Sequence, residues 1–224
     1  MEKTAKAFNF AGRSGMYDQV ITGTGFFGSM VSNLVWKMDK ERDLEYQNLA
    51  KSGIAKDFSG KLLEVPVGTG ILTMPMYKKL KSADITCLDY SLGMMNRAKE
   101  RAKGEGIENI SFVQGDVGNL PFEDESFDIV LSMNGLHVFP DKEGAFKETF
   151  RVLKKGGIFC GCTYIRGECK RTDWFINRIY VPKGYFNPPF DTKTELRKKL
   201  ESMYREVEIK TVISEACFYC RKGE

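Results

Sequence analysis

The chain has 224 residues, 42% of them hydrophobic and 29% charged, with a formal net charge of +4. That length supports one sizeable core, the composition is ordinary for a globular protein, and so small and dispersed a charge argues against a nucleic-acid partner. The longest apolar runs, such as Ile129-Val130-Leu131, fall far short of a membrane span, and Met1-Glu2-Lys3-Thr4 lacks a signal-peptide apolar core, so a cytoplasmic location is the expectation.

Residues 1–25, with Gly12, Gly15, Gly23 and Gly25, read as an irregular or loosely helical lead-in. From Phe26 to Ala55, Met30, Leu34, Val35 and Met38 recur at helical spacing, which predicts one or two helices ended by Gly53 and Gly60. Lys61–Val65 reads as a first strand leading into the loop Pro66-Val67-Gly68-Thr69-Gly70. A helical stretch is expected next, with Pro75 acceptable only in its first turn. Asp84–Asp89 is a second strand, Ser91 a candidate cap for a helix to about Lys103, and Ile110–Gln114 a third strand.

Phe127–Met133 is almost continuously apolar, as a strand covered on both faces should be. A helix fits Lys142–Leu153, Gly156-Gly157 should break it, and Ile158–Tyr164 reads as a fifth strand. Residues 166–190 are mixed and aromatic, Thr192–Met203 is helical, and Val207–Ile213 with Glu215–Arg221 form two closing strands. Strands and helices that alternate in this way predict an α/β fold: a doubly wound, Rossmann-like, mostly parallel seven-stranded sheet. A C-terminal antiparallel hairpin and an N-terminal helical cap complete it. The expected division is a lead-in and cap over 1–60 and a core over 61–224, with an insertion near 166–203.

Six cysteines in a chain with no secretion signal read as reduced thiols. Cys217 and Cys220 lie three apart on a predicted strand. They should point to opposite faces and not chelate together, so no metal site is expected.

In a doubly wound sheet, ligands bind at the carboxyl ends of the strands, near the reversal of strand order. Gly68-Thr69-Gly70 lets a backbone approach a ligand closely, although a plain strand-to-helix turn would look the same. Asp89 ends the second strand 19 positions after Gly70, and a carboxylate there can accept from two ribose hydroxyls. It could equally cap the next helix. Together the two suggest an adenosine-type ligand. A dinucleotide site would want a third glycine, but Ile71, Leu72 and Thr73 follow Gly70. Glu64 would repel a pyrophosphate and suits a ligand bearing an ammonium or sulfonium. Asp116, in Gln114-Gly115-Asp116-Val117, can accept from an exocyclic amine.

The ordered series Leu-Glu-Val-x-x-Gly-Thr-Gly, Leu-Asp-x-Ser, Gly-Asp, Leu-Pro-Phe-x-x-x-Ser-Phe-Asp and Leu-Lys-Lys-Gly-Gly resembles the class I S-adenosylmethionine-dependent methyltransferases. The nearest branch is the small-molecule one typified by quinone-biosynthesis C-methyltransferases. The resemblance covers about Leu62 to Tyr164. It implies S-adenosylmethionine as cofactor, with Glu64, Val65, Pro66, Gly68, Thr69 and Gly70 around its methionine part. It also implies that Asp89 holds the ribose, with Tyr90 and Met94 beside the adenosine, and that Gly115, Asp116 and Val117 hold the adenine. Asn134, Gly135 and His137 would border the methyl group, and Tyr17 resembles the aromatic that closes over the cofactor. Pro66 departs from the family's usual glycine.

Methyl transfer from a sulfonium needs alignment and exclusion of water more than strong catalytic groups. His137, the only histidine, is the candidate general base, or else packs against the cofactor. Between Arg166 and Lys183, five basic residues against two acidic ones interleave with Trp174, Phe175 and Tyr180. Tyr185 and Phe186 follow. This segment suits a cover over a flat or apolar small-molecule acceptor, and its basic surplus leaves room for an acidic group on that acceptor, with the early helix around Met30–Met38 as the opposite wall, or else is a loop packing its aromatics on the sheet. The expected activity is methyl transfer to that acceptor. The alternatives are a non-catalytic protein that binds S-adenosylmethionine or S-adenosylhomocysteine, a nicotinamide-dependent oxidoreductase, and an RNA methyltransferase.

Overall fold

Leu62 and Leu63 are both fully buried, on opposite faces of the same short strand, which requires a sheet covered on both sides. The computed structural model describes residues 4, 6–9 and 16–224; the predicted lead-in glycines Gly12 and Gly15 lie outside these. The sheet has seven strands in the order β3-β2-β1-β4-β5-β7-β6. They are β1 Lys61–Glu64, β2 Asp84–Asp89, β3 Ile110–Gln114, β4 Phe127–Met133, β5 Leu153–Tyr164, β6 Glu206–Val212 and β7 Glu215–Arg221. The first five strands pair in parallel, and β7 runs antiparallel to both β5 and β6. The mostly parallel sheet and closing hairpin predicted from the sequence are thus present.

Helices cover both faces. One face carries α3 (Lys40–Ala50), the single turn α4 (Met74–Tyr77) and α5 (Leu92–Gly104), through Tyr46, Tyr77 and Ala98. The other carries α6 (Lys142–Val152) and α9 (Lys193–Glu201), through Phe146 and Leu200. Caps mark these starts, and Ser91 is the one the sequence reading expects. Ser91 Oγ accepts from the Met94 N–H, and Asp39 and Asp141 cap α3 and α6. Thr192 and Glu195 form a reciprocal capping box on α9.

Four details differ from the sequence reading. The stretch after Gly70 is not a sustained helix but turns and then the four-residue α4, with Pro75 in its first turn, so no long helix dipole faces the loop. β5 begins at Leu153, and Gly156-Gly157 makes an irregularity within it; the register on β4 jumps between Phe127 and Ile129. Gly156 takes φ +70° there, a left-handed conformation that glycine allows without ending the pairing.

Residues 166–190 are also more regular than expected. Helix α7 (Lys170–Phe175) runs through a π-helical segment, Ile176–Tyr180, into α8 (Val181–Lys183). The lead-in too is helical, with α1 (Met16–Thr22) and α2 (Gly25–Val31), the latter extended by a π-helical segment over Ser32–Trp36. Lys37, at φ 55°, ends it. Cys217 and Cys220 belong to the cores on opposite faces of the sheet. Among the described residues, no helix is long and apolar enough to cross a membrane.

Candidate functional site

Strand order reverses between β1 and β4, so the loops leaving their carboxyl ends diverge and open a crevice. A cavity of about 660 Å³ lies there. Its floor comprises the loop after β1, the ends of β2 and β4, and the start of β7. Its roof is α1, the α2 segment and the α7–α8 segment. Of the residues expected at the site, Tyr17, Glu64, Val65, Pro66, Gly68, Thr69, Gly70, Asp89, Tyr90, Met94, Gly115, Asp116, Val117, Asn134 and His137 all line it. Gly135 does not. A Cβ on Gly135 would meet Pro66 Cδ and Ser132 Oγ at 2.5 Å, so its role is to let the β4 and β1 loops touch.

The glycine loop is held from below by carboxylates. Asp89, 6% exposed, accepts from the Gly68 N–H through Oδ2 and from the Ser91 N–H through Oδ1, both at 2.8 Å. Each oxygen keeps a lone pair for another donor. Burial pushes its acid up to about 7 despite those two hydrogen bonds. Gly68 has φ +58°, and nothing lies within 4 Å of where its Cβ would be. That is an open cradle for a ligand's approach.

Glu64 is turned into the floor. Its Oε2 accepts from the Tyr77 hydroxyl at 2.9 Å and the Thr73 hydroxyl at 3.1 Å, with Cys87 Sγ at 3.7 Å. Burial pushes it up to about 8. The carboxyl therefore braces the loop against α4 as well as bordering the cavity. Asp116 Oδ1 accepts from the Gly118 N–H at 2.9 Å and so orders the turn after β3.

His137 is buried. Its Nδ1 accepts from the Tyr164 N–H at 3.0 Å, with the Thr163 hydroxyl at 3.2 Å, and its ring stacks on Phe186 at 4.2 Å. Burial, helped by the charge on Lys142, pushes the imidazole down to about 3. With its Nδ1 lone pair committed to a backbone donor, the neutral ring carries its proton on Nε2. The nitrogen left over is a donor, so these hydrogen bonds do not supply the expected general base. What the geometry provides is a ring bound to backbone and stacked on Phe186.

The lead-in is locked on. Asp18 of α1 accepts from the Thr69 hydroxyl at 2.5 Å and from Arg101 at 2.8 Å. This brings Tyr17 over the site. Burial, then the charges of Asp89 and Asp18, keeps its phenol protonated. Asn9 Oδ1 accepts from the Ser91 hydroxyl at 2.7 Å and the Gly93 N–H at 3.1 Å.

Sequence reasoning missed Asp43, Tyr46 and Glu215, which also line the cavity. Asp43 and Tyr46 lie three apart on α3, and Glu215 is 169 positions beyond Tyr46. The one available signal was a pair of polar groups at helical spacing on a face that also packs on the sheet.

Residues 63–161 match the family described as a methyltransferase domain. The demethylmenaquinone methyltransferase of Staphylococcus aureus strain MRSA252 is 37% identical over 131 residues, covering 58% of this chain and 49% of that protein. The chloroplastic 2-methyl-6-phytyl-1,4-hydroquinone methyltransferase 2 of rice, Oryza sativa subsp. japonica, is 27% identical over 152 residues, covering 68% of this chain and 41% of that protein. The chain thus spans half or less of the length of these relatives. Among solved structures, a Haemonchus contortus phosphoethanolamine N-methyltransferase 2 in complex with S-adenosyl-L-methionine aligns with TM-score 0.67 at 15% identity, over 81% of this chain and 53% of that one. At that identity the likeness speaks for the fold.

Proposed function

We propose that this chain, whose residues 63–161 match a methyltransferase domain, is a class I S-adenosylmethionine-dependent methyltransferase that transfers the methyl group of S-adenosylmethionine to a small molecule with an aromatic or apolar body. The observation that carries this reading is the Gly68–Asp89 pair: a glycine loop with an open cradle, braced by a buried carboxylate that keeps lone pairs facing the cavity. When bound, the cofactor supplies a methyl group already activated on a sulfonium.

In this reading Asp89 holds the ribose hydroxyls, and Tyr90 and Met94 flank the adenosine. Asp116 takes the adenine amine with Gly115 and Val117 alongside, and Glu64, Val65, Pro66, Thr69 and Gly70 surround the methionine end. Tyr17 and α1 close over it. The α7–α8 segment is the acceptor's cover: Phe175, Tyr180, Tyr185 and Phe186 line the cavity together with Met30, Leu34 and Trp36, and Trp36 lies against Phe186. An aromatic and apolar lining suits a flat acceptor and excludes water, and alignment in a dry site is the main catalytic requirement of such an in-line transfer. The six cysteines, all buried and free, support a reducing compartment such as the cytoplasm.

The test is calorimetry with S-adenosylmethionine, S-adenosylhomocysteine and NAD, followed by an acceptor screen read as S-adenosylhomocysteine formed. Binding of the first two and turnover of at least one acceptor is the expected result. Preference for NAD would sink the cofactor assignment, and tight S-adenosylhomocysteine binding without turnover across a broad panel would favour a non-catalytic binder.

A further inference from the structure

Across the cavity from Asp89, two carboxylates face the same space. Glu215 opens β7, paired with Tyr164 at the end of β5, so it sits at the carboxyl edge where ligands bind. Asp43 lies in the first turn of α3, one helical turn before Tyr46 on the face that packs against β5 and β7. Both line the cavity, and Asp43 is the charged group that acts on Glu215.

Among the described residues, neither acid has a side-chain partner. Glu215 is 5% exposed, and its Oε2 is fully buried with no hydrogen bond. Asp43 is 8% exposed, and among the described residues no side chain bonds or ion-pairs with either carboxyl. The titratable groups around Glu215 are the Tyr46 and Tyr164 phenols and the Cys162 and Cys217 thiols. None of them is a cation. Gly23 of the lead-in tightens the enclosure: a Cβ there would meet Asp43 Oδ2 at 2.4 Å.

Two neighbouring acids with no counter-charge are costly to bury. Elsewhere at the site the buried carboxyls are satisfied: Asp89 by two backbone N–H groups, Glu64 by two hydroxyls. Here the acceptor oxygens are left for something that enters the cavity. The surrounding walls are aromatic, with Trp36 edge-on to Tyr164 at 6.1 Å and beside Phe186 at 6.2 Å. Aromatic faces and carboxylates are the two features that attract an organic ammonium.

We propose that Asp43 and Glu215 form a subsite for a protonated amine carried by the methyl acceptor, so that the acceptor is an aromatic or apolar amine. This rests on the methyltransferase reading only for the word acceptor; the subsite itself is a statement about binding. Four inter-strand steps separate β2 from β7, about 19 Å at the usual strand spacing, which sets the pair apart from the residues assigned to the adenosine.

The experiment compares three probes with the same ring on the full chain, with and without S-adenosylhomocysteine: 2-phenylethylamine, 2-phenylethanol and phenylacetate. Calorimetry or NMR titration should show the amine binding about tenfold or more tightly than the alcohol, with the carboxylate weakest. D43N, E215Q and the double variant should erase that preference while S-adenosylhomocysteine still binds. Amides match these acids in shape and need no counter-charge, so these variants should fold; the comparison of probes on the unaltered chain needs no variant at all. Equal binding of amine and alcohol, no binding of either, or a preference that survives the double variant overturns the proposal. So does loss of S-adenosylhomocysteine binding in the variants without any amine preference, which would assign the pair to the cofactor's own ammonium. If S-adenosylhomocysteine fails to bind the unaltered chain while the amine preference stands, the cofactor reading fails and the subsite does not.

Discussion

The Tyr164 backbone N–H donates to His137 Nδ1 at 3.0 Å. A backbone donor cannot reverse its role, so this one bond fixes the imidazole tautomer and, with it, what His137 can do.

His137 should therefore stay neutral and protonated on Nε2 throughout the working range. Nitrogen-15 chemical shifts should show one tautomer that does not titrate near 6.5, since burial holds the ring down to about 3. The pH profile of kcat should carry no limb from this residue. A titration near neutrality, or a pyridine-like Nε2, would restore it as a base.

Replacing Asp18 with Asn should loosen the lid. Its carboxylate joins α1 to Thr69 and Arg101, and charge-assisted bonds of this kind contribute about 1–2 kcal/mol. S-adenosylhomocysteine should bind about tenfold more weakly, with the melting temperature little changed because α1 is a surface element. Unchanged affinity would show that the clamp does not serve the ligand.

Two glycines separate folding from binding. At Gly161, φ is +152° and a Cβ would meet the Ser132 carbonyl oxygen at 2.0 Å. Gly161→Ala has no room to relax and should cost about 3 kcal/mol or more of stability. At Gly68 the space is open, so Gly68→Ala should cost only about 1 kcal/mol from its left-handed backbone but block the cofactor. Denaturant melts alongside calorimetry distinguish them. Normal S-adenosylhomocysteine affinity in a folded Gly68→Ala protein would remove the loop from the site.

Without ligand, the chain should lose stability as pH rises from about 5.5 to about 8. Burial raises Glu64 and Glu215 to about 8, Asp89 to about 7 and Asp43 to about 6. In that window the folded chain keeps carboxyl protons that the unfolded chain has released, so raising the pH favours unfolding. His137 acts in the opposite sense, because below 6.5 the unfolded imidazole binds a proton the folded one refuses. It is one group against four, and above 6.5 it drops out. Lys142, pushed down to about 8 by burial, also acts in the opposite sense, but only toward the alkaline end. Thermal melts should fall monotonically up to about pH 8; a rise below that pH would contradict these shifts.

The sheet was legible because each strand announces itself locally. Asp84–Asp89 and Phe127–Met133 match to the residue, and Leu62 with Leu63 already implies two covered faces. The Asp89 and Gly68 positions follow from chain order once the strands are placed. Local patterning was less informative where tertiary contact overrides it. Gly156-Gly157 is a break on propensity yet stays within β5, because β4 and β7 continue to pair around it. The 166–190 segment lacks helical periodicity because its apolar residues face both a cavity and a core cluster.

By itself the sequence determined the strands of a mostly parallel α/β sheet with a closing hairpin and the loop residues that border its carboxyl-edge crevice, since both depend on spacings of a few residues. Only the tertiary structure decided the rest. Asp18 reaches Thr69 across 51 positions, and Tyr164 sets the tautomer of His137 across 27. Glu215 shares a cavity with Asp43 only because an antiparallel β7 returns the chain's last strand to the carboxyl edge. Hydrogen bonds and charges act over a few ångströms whatever the separation along the chain, so the chemistry of those groups exists only after folding.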